Sequence, residues 1–478
     1  MGIPFFGRLH LDDYQSLFLT CLALVVEKIF RILTFFIPSP VIAFIFSKLT
    51  PPFRRLPWNT RKRYKEHHII HTVASFCQRA GYPVEEHLVT TTDGFVLGIH
   101  RIPGGKEGVE RKGEGVDRNG DSNESPKPVV LLWHGFMMSS EVFVCGHTEE
   151  RNLAFALATA GYDVWMGNIR GNKYSYKHLT EKPNSRKFWD FSIDELARYD
   201  IPNTIDYVLR MTGQSTLSYI GFSQGTAQMF AALSINPELN DKVNSFIALA
   251  PATKPPMIEN ASVSAILRSS PQALYLILGR KCAMGYALFW RDYLPRPLYV
   301  RLIRMSVWLL FGWSMRNMSQ LQKEACLGHL YSYTATKLVV HWFQIMGAQR
   351  FQVFDDAPPV RSRILGSADS RINEEGSFGH VVPAFPTRRI VAPIAIFYGG
   401  QDNLSNIQNL LKDLPEPVLC RRVDKYEHLD FLWADDADEL VFPMVMGTLA
   451  SLASNEVNSI GSKERRRYRH NRSSSVHI

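Results

Sequence analysis

The amino-acid sequence predicts an α/β fold with a mostly parallel central sheet that carries helices on both faces. From about residue 128, short and continuously apolar runs typical of buried strands alternate with helical patterns. Such alternation is typical of parallel sheets whose strands are joined by helical crossovers. The pentapeptide GFSQG, residues 221–225, stands at one of the strand-to-helix junctions. Its serine, Ser223, is therefore a candidate nucleophile.

The elements upstream of this pentapeptide follow from local patterns. HLVTTTDGFVLGIHRI alternates around Asp93-Gly94 and predicts a β-hairpin. PVVLLW and YDVWMGN predict buried strands, with NLAFALATAG as the helix between them. Ser192-x-x-Glu195 is a capping box that starts the next helix. Pro202 is expected to open another helix, which ends near Gly213.

The remaining elements complete the core around an interruption. STLSYIGFS and KVNSFIALAPA predict strands on either side of the helix TAQMFAALSI. PIAIFYGG, a helix at 406–414 and VLCRRVDKY continue the alternation much later. Between about 254 and 345 the strand pattern vanishes, and the segment is rich in Leu, Met and Trp. These residues suit the interior of a helical subdomain or a cap whose underside faces a lipid substrate, and both can hold for different residues.

These patterns divide the chain into five regions. We expect a membrane anchor with a basic juxtamembrane segment at 1–66, the first half of the core at 67–253 and a helical cap at 254–345. The second half of the core follows at 346–452, and a basic disordered tail at 453–478. Residues 104–127 are rich in Gly and charge with almost nothing to bury, which predicts a disordered insertion. The serines of the tail are candidate phosphorylation targets, although a plain solvated tail is the simpler interpretation.

The N-terminus contains two uncharged apolar runs, 14–26 and 32–47, separated by charged residues. Neither run reaches the roughly 20 residues of a spanning helix, and Pro38 and Pro40 interrupt the second. This favours a hairpin that dips into one leaflet over a single tilted span, a cleaved signal peptide or a buried helix pair. Lysines and arginines after residue 47 place the following chain on the cytoplasmic side.

Charge and cysteine content exclude several classes of function. The formal charge of +9 is concentrated beside the apolar N-terminal runs and in the tail, so it favours anionic lipid headgroups over nucleic acid. The six cysteines are scattered and form no C-x-x-C pair. We therefore expect neither a metal site nor a disulfide framework, although a single bridge stays open.

The residues around Ser223 supply the groups that serine catalysis needs. Gly221 and Gly225 relieve crowding in a tight strand-to-helix turn. An oxyanion hole requires a backbone N–H on the residue after the nucleophile and another on an upstream loop. Gln224 is the first donor, and Phe136 is the second, because PVVLLW runs directly into His134-Gly135-Phe136. The alternative for His134-Gly135 is an ordinary turn.

The general base and its orienting acid should follow the nucleophile in the order Asp, His. Asp402 directly follows the strand IAIFYGG, and His428 follows the next strand, so both belong at one edge of the sheet. We assign His428 as general base and Asp402 as the residue that orients it. Asp413 in a helix, Asp424 at a strand end, His380 and His341 are less well placed and remain alternatives. No metal or organic cofactor is required.

Eight ordered blocks give the chain a resemblance to a known family. They are EEHLVTTTDGFVLGIHRIP, LLWHGF, GYDVWMGNIRGNKYS, FWDFSIDELARYDIPNTIDYV, GFSQGTAQMFAAL, YTATKLVVHWFQIMGAQRFQVFDD, IFYGGQD and YEHLDFLW. From about 67 to 450 the chain resembles the acid lipase family of gastric and lysosomal lipases, within the α/β-hydrolase fold. The resemblance implies the triad Ser223, Asp402 and His428, the oxyanion donors Phe136 and Gln224, and a helical cap.

The N-terminal layout departs from the secreted members of that family and resembles membrane-anchored fungal sterol ester hydrolases. We therefore expect a membrane-bound serine hydrolase of steryl esters, on lipid droplets, the endoplasmic reticulum or both, with its catalytic domain facing the cytosol. Triacylglycerol hydrolysis is the close alternative, and a noncatalytic scaffold on a lipid surface is a more distant one.

Overall fold

The structure is a computed structural model that describes residues 72–106, 127–256, 274–275, 278–283, 285–356 and 382–453. The predicted N-terminal anchor and basic tail lie outside these residues, as does nearly all of the predicted insertion at 104–127. Within the described ranges, every helix is too short or too polar to cross a membrane.

A nine-stranded sheet forms the centre of the described chain. Eight strands follow the spatial order β1-β2-β4-β3-β6-β7-β10-β11, and β5 pairs with β2. Their bounds are β1 Glu85–Thr90, β2 Phe95–Ile102, β3 Val129–Trp133, β4 Asp163–Met166, β5 Lys177–His178, β6 Leu217–Phe222, β7 Val243–Leu249, β10 Ile394–Gly399 and β11 Leu419–Val423. β1 and β2 form the predicted antiparallel hairpin, and every pair from β4 to β11 is parallel.

Helices connect these strands and cover the sheet. The core carries α1 Val73–Ala80, α2 Leu153–Thr159, α3 Ile193–Glu195, α4 Ile201–Thr212, α5 Gln224–Ile235, α10 Ile407–Asp413, α11 Asp430–Trp433 and α12 at 437–453. The segment between β7 and β10 contributes α6 Gly285–Tyr293, α7 Arg296–Phe311, α8 Gln320–Cys326 and α9 Thr336–Ala348. The helices and the mostly parallel sheet together form the α/β architecture that the sequence predicts.

The apolar runs are continuous because both faces of the sheet are buried. In β3, Val130 and Leu132 belong to the apolar cluster on one face, and Leu131 and Trp133 to the cluster on the other. Fully burying one such aliphatic side chain stabilises a fold by about 1.5–3 kcal/mol. The interior strands therefore act as a fixed platform for the loops at their carboxyl ends.

The prediction for the helix after β5 is partly wrong. The capping box at Ser192 is present, with Glu195 accepting from the Ser192 backbone N–H, and the helix ends at Gly213 as expected. Pro202, however, does not open a separate helix, because a π turn at Leu196–Asp200 joins α3 to α4 without a break. The hydrogen-bond spacing changes from the π to the α pattern directly before Pro202. The missing N–H of Pro202 therefore lies in the first α-helical turn after that change, where proline is tolerated.

The segment at 254–345 is not purely helical. A two-stranded antiparallel ladder, β8 (Cys282–Ala283) with β9 (Thr334–Ala335), joins its two ends. Two residues per strand are too few to produce a readable alternation. The predicted boundary at 345 also falls inside α9, which runs on to Ala348, because its apolar residues pack as one element against the core cluster.

Candidate active site

The functional side chains lie at the carboxyl ends of parallel strands. Ser223 follows β6 directly, Asp402 comes three residues after β10, and His428 comes five residues after β11. The loop that carries His134 and Phe136 follows β3, the neighbour of β6. Because adjacent parallel strands end at the same edge of the sheet, residues nearly 300 positions apart in sequence meet there.

Ser223 has an unusual backbone conformation. Its φ of 52° and ψ of −118° place it outside the regions that non-glycine residues normally occupy. The turn is tight enough that a Cβ on Gly221 would lie 2.9 Å from the backbone of Gly225, and one on Gly225 would lie 2.5 Å from the Trp133 carbonyl oxygen. The two glycines therefore permit the sharp β6–α5 turn that presents the serine hydroxyl at the edge of the sheet.

The structure brings the three residues predicted as a triad into one chain of hydrogen bonds. His428 Nε2 lies 2.7 Å from Ser223 Oγ, and His428 Nδ1 lies 2.8 Å from Asp402 Oδ2. The carboxylate can only accept, so Nδ1 carries the proton and Nε2 faces the hydroxyl as an acceptor. The imidazole is thus oriented to take a proton from the serine oxygen.

Asp402 is held as an anion although it is buried. Burial on its own would raise the pKa of the carboxyl, but the adjacent His428 and hydrogen bonds from Ser405 Oγ and the Leu404 N–H outweigh it and lower the pKa. The hydrogen bond from Ser405 Oγ to Oδ2 is 2.8 Å long. A buried carboxylate with this support can stabilise an imidazolium without accepting its proton.

The predicted oxyanion donors lie at the mouth of this arrangement. Phe136 and Gln224 both line the cavity that contains Ser223 and His428. In the described part of the chain, neither backbone N–H donates to a protein acceptor, whereas the N–H of Ser223 itself donates to the Leu249 carbonyl. Two such N–H groups beside a nucleophile can stabilise a carbonyl oxygen as it becomes negative.

His134 fixes the peptide that carries the Phe136 N–H. Its Nδ1 lies 2.8 Å from the Gly135 carbonyl oxygen, and its Nε2 accepts from the Ile169 N–H. Burial lowers the pKa of His134 to about 4, so the ring is neutral and Nδ1 donates. The His134-Gly135 pair is therefore part of a positioned loop that turns directly after β3, where the Met138 N–H donates to the Gly135 carbonyl oxygen.

The triad opens into an apolar cavity of about 320 Å³. Its walls come from the loop after β3, from α9 and from the end of α7. They include Met137, Leu310, Phe311, Trp342, Phe343 and Met346. A lining of this kind binds hydrocarbon and excludes water from the reacting atoms.

The cap also contacts the His428 imidazole directly. The Trp313 ring stacks on the His428 ring with centroids 5.0 Å apart and an interplanar angle of 15°. Glu427, the neighbour of His428, accepts from the backbone N–H groups of Ser314 and Met315. The histidine loop is thus attached to the segment that follows α7, so cap and site are mechanically joined.

The alternative residues lie elsewhere or have other roles. His341 is buried, receives the Ile193 N–H at Nδ1 and faces the Gln352 carbonyl at Nε2, and burial lowers its pKa to about 4. Asp413 pairs with Lys254, and Asp424 pairs with Arg422 at the surface. His380 lies outside the described residues.

Sequence patterns missed several residues that shape the site. Trp313 contacts His428 across 115 positions of sequence, which no local pattern reports, and Ser405 contacts Asp402 from only three positions away, in a loop without a regular pattern. Within the described residues there is no cluster of three or more His, Cys, Asp or Glu side chains suited to a metal ion.

Comparisons with known proteins show the family of the chain. A family described as a partial alpha/beta-hydrolase lipase region matches residues 73–147, and the alpha/beta hydrolase fold matches residues 128–277. A probable lipase of Schizosaccharomyces pombe is 39% identical over 98% of this chain and 97% of its own length. The gastric triacylglycerol lipase of Homo sapiens is 33% identical over 77% of this chain and 88% of its own length. The chain therefore belongs to the lipase family of α/β-hydrolases that includes the gastric lipases, and it is a carboxylic ester hydrolase.

Proposed function

We propose that the chain hydrolyses steryl esters to sterol and fatty acid at a membrane or lipid-droplet surface, with Ser223 as nucleophile, His428 as general base and acid, and Asp402 as the residue that orients it. The observation that carries the proposal is the hydrogen-bonded triad at the mouth of an apolar cavity. The aromatic side chains of Trp342 and Phe343 in the cavity wall suit a rigid sterol ring system.

The first half of the reaction forms an acyl-enzyme. His428 Nε2 takes the proton from Ser223 Oγ as that oxygen attacks the ester carbonyl carbon. The N–H groups of Phe136 and Gln224 stabilise the resulting oxyanion. The bond to the alcohol oxygen then breaks, His428 returns the proton to that oxygen, and the sterol leaves.

The second half releases the fatty acid. A water molecule attacks the acyl carbon while His428 Nε2 takes one of its protons. The tetrahedral intermediate collapses, the proton returns to Ser223 Oγ, and the carboxylic acid departs. Asp402 keeps the imidazolium oriented through both halves, and no cofactor takes part.

Triacylglycerol hydrolysis is the second candidate, and it is favoured by the similarity to gastric triacylglycerol lipases. The test is hydrolysis of a steryl oleate and of trioleoylglycerol by the full chain, in parallel with Ser223→Ala. Steryl ester cleavage that disappears in the variant supports the proposal. Cleavage of trioleoylglycerol alone would retain the mechanism and overturn the substrate.

A noncatalytic scaffold is the remaining alternative. A fluorophosphonate probe discriminates it, because only an activated serine is phosphonylated. We expect labelling of the full chain and none of Ser223→Ala. A folded chain that stays unlabelled and hydrolyses neither ester would support the scaffold.

A further inference from the structure

Helix α7 has two apolar sides with different surroundings. Val307, Leu310 and Phe311 on one side line the cavity above Ser223 and His428. The opposite side carries four large apolar side chains that are between 40% and 60% exposed, and these are Leu302, Met305, Trp308 and Leu309. Since large apolar groups are normally scattered singly over a surface, four on one helix indicate a binding surface.

Basic residues accompany these apolar side chains. Arg301 and Arg304 are exposed on the same helix, and within the described residues neither forms an ion pair with a carboxylate. Lys323 lies within electrostatic range of Arg304, and its pKa is lowered by partial burial and, to a smaller extent, by that neighbouring charge. Arg301 and Arg304 therefore place two cations beside the exposed apolar side chains, whereas Lys323 is partly compensated by Asp435 and Glu427.

We propose that the α7 outer face, which comprises Arg301, Leu302, Arg304, Met305, Trp308 and Leu309, docks on a phospholipid surface that carries anionic headgroups. A tryptophan and leucines flanked by arginines form the pattern of a helix that lies in the headgroup region, with its apolar groups buried and its cations among the phosphates. The charge selects this occupant over a neutral apolar protein groove.

The position of α7 links docking to catalysis. The helix is about 10 Å across with its side chains, so the α7 outer face and the cavity lie on opposite sides of one helix. Docking therefore brings the cavity to within about one helix diameter of the lipid surface in which its ester substrate is dissolved. This inference rests on the proposed hydrolysis of lipid esters and names the surface at which that hydrolysis takes place.

The test compares two substrates for the same full-length chain. One is a long-chain ester dissolved in vesicles of phosphatidylcholine, with or without phosphatidylserine, and the other is a short-chain p-nitrophenyl ester free in solution. The variants are Arg301→Glu with Arg304→Glu, and Trp308→Ser with Leu309→Ser. The matched controls are exposed residues of the core, Arg389→Glu with Arg421→Glu, and Leu88→Ser with Val391→Ser.

We expect both α7 variants to lose about tenfold or more of the rate on phosphatidylserine vesicles. The charge variant loses two cations, each of which contributes about a factor of five to binding near such a surface. The serine variant loses the apolar side chains that would be buried in the headgroup region. The charge variant should lose little on phosphatidylcholine alone, and its deficit should shrink in high salt. Hydrolysis of the soluble ester should stay within about twofold of the unmodified chain, as should every rate of the core controls.

The outcomes separate this proposal from the proposed function. If the unmodified chain does not hydrolyse the soluble ester, the catalytic assignment is contradicted, independently of the α7 outer face. Equal vesicle rates for α7 variants and core controls would overturn the docking proposal alone. A variant-specific change in oligomeric state, or a faster vesicle rate, would also overturn it, by showing that a second copy or another segment of the chain covers this face. If the variant Trp308→Ser with Leu309→Ser fails to fold, the rates of Arg301→Glu with Arg304→Glu decide whether the α7 outer face docks on lipid.

Discussion

Gly225 lies in the turn that presents Ser223, at a position that has no room for a side chain. A methyl group at this position would approach the Trp133 and His134 carbonyl oxygens at 2.5 and 2.9 Å, and neither backbone can withdraw without moving β3. We expect Gly225→Ala to cost roughly 2–4 kcal/mol of unfolding free energy and most of the activity. Urea denaturation and the soluble-ester rate measure both effects.

The matched control is Gly447→Ala. Gly447 lies in α12, and a methyl group there would meet nothing within 4 Å. Removing a mid-helix glycine should stabilise the chain by about 0.5–1 kcal/mol and leave the rate unchanged. Equal behaviour of the two variants would contradict the crowded-turn explanation.

Asp402 acts on the reaction through His428, and this can be measured separately from folding. In Asp402→Asn the amide can present its NH₂ to Nδ1, which favours the imidazole tautomer with its proton on Nε2, so the serine loses its acceptor. We expect kcat for the soluble ester to fall by about 10³–10⁴-fold while KM changes little. Restoration of the rate to within about tenfold at high pH would argue against a role in setting the tautomer.

A buried polar network joins the loop that follows β3, which carries Phe136, to the cap. Glu141, in the helical turn that follows this loop, is fully buried and accepts from Tyr174 Oη at 2.5 Å, from Lys173 Nζ at 2.5 Å and from His329 Nδ1 at 2.8 Å. Close by, the Ser332 N–H donates to the Met137 carbonyl oxygen. The cap segment around 329–332 therefore braces the loop that supplies the Phe136 N–H.

Glu141 should make the chain sensitive to acid. Burial alone would raise the pKa of this carboxyl, but His329 and Lys173 outweigh it and lower the pKa to about 2. Since the folded-state pKa lies below the unfolded value of 4.5, the stabilisation is complete above that value. It is lost as the pH falls from about 4.5 towards about 2.

Glu141→Gln tests this dependence. At neutral pH the variant leaves the Lys173 cation buried without its counter-charge, and we expect it to lose about 3–5 kcal/mol of unfolding free energy. The gap to the unmodified chain should narrow as the pH falls below about 4.5, which urea midpoints across that range would reveal. A gap that stays constant would mean that the carboxylate is not ionised at neutral pH.

Most core strands could be predicted from the sequence because a buried strand is marked by a run of neighbouring apolar residues. The continuous apolar runs predicted β3, β6, β7 and β10, and the choice of Asp402 and His428 followed from their places after strands together with the expected order Ser, Asp, His. The π turn before Pro202, the β8–β9 ladder and the extent of α9 were not predicted. Each depends on packing between distant segments or is too short to show a period.

The whole molecule combines a rigid sheet with a cap that contributes to the site. The sheet fixes Ser223 and His134, which sequence reasoning located through adjacent strands. The cap supplies Trp313 against the His428 ring and most of the cavity wall, and no periodic pattern places those side chains. The sequence therefore predicted which side chains meet at the sheet edge more completely than it predicted the walls of the cavity.

The central claim at this scale is that esters are cleaved through an acyl group on Ser223. The most direct measurement is mass spectrometry of the full chain quenched during turnover of a slow p-nitrophenyl ester, followed by peptide mapping. We expect a mass increase equal to the acyl group on the peptide that contains Ser223, and no such adduct in Ser223→Ala. Turnover without that adduct, or with the acyl group on another residue, would contradict it.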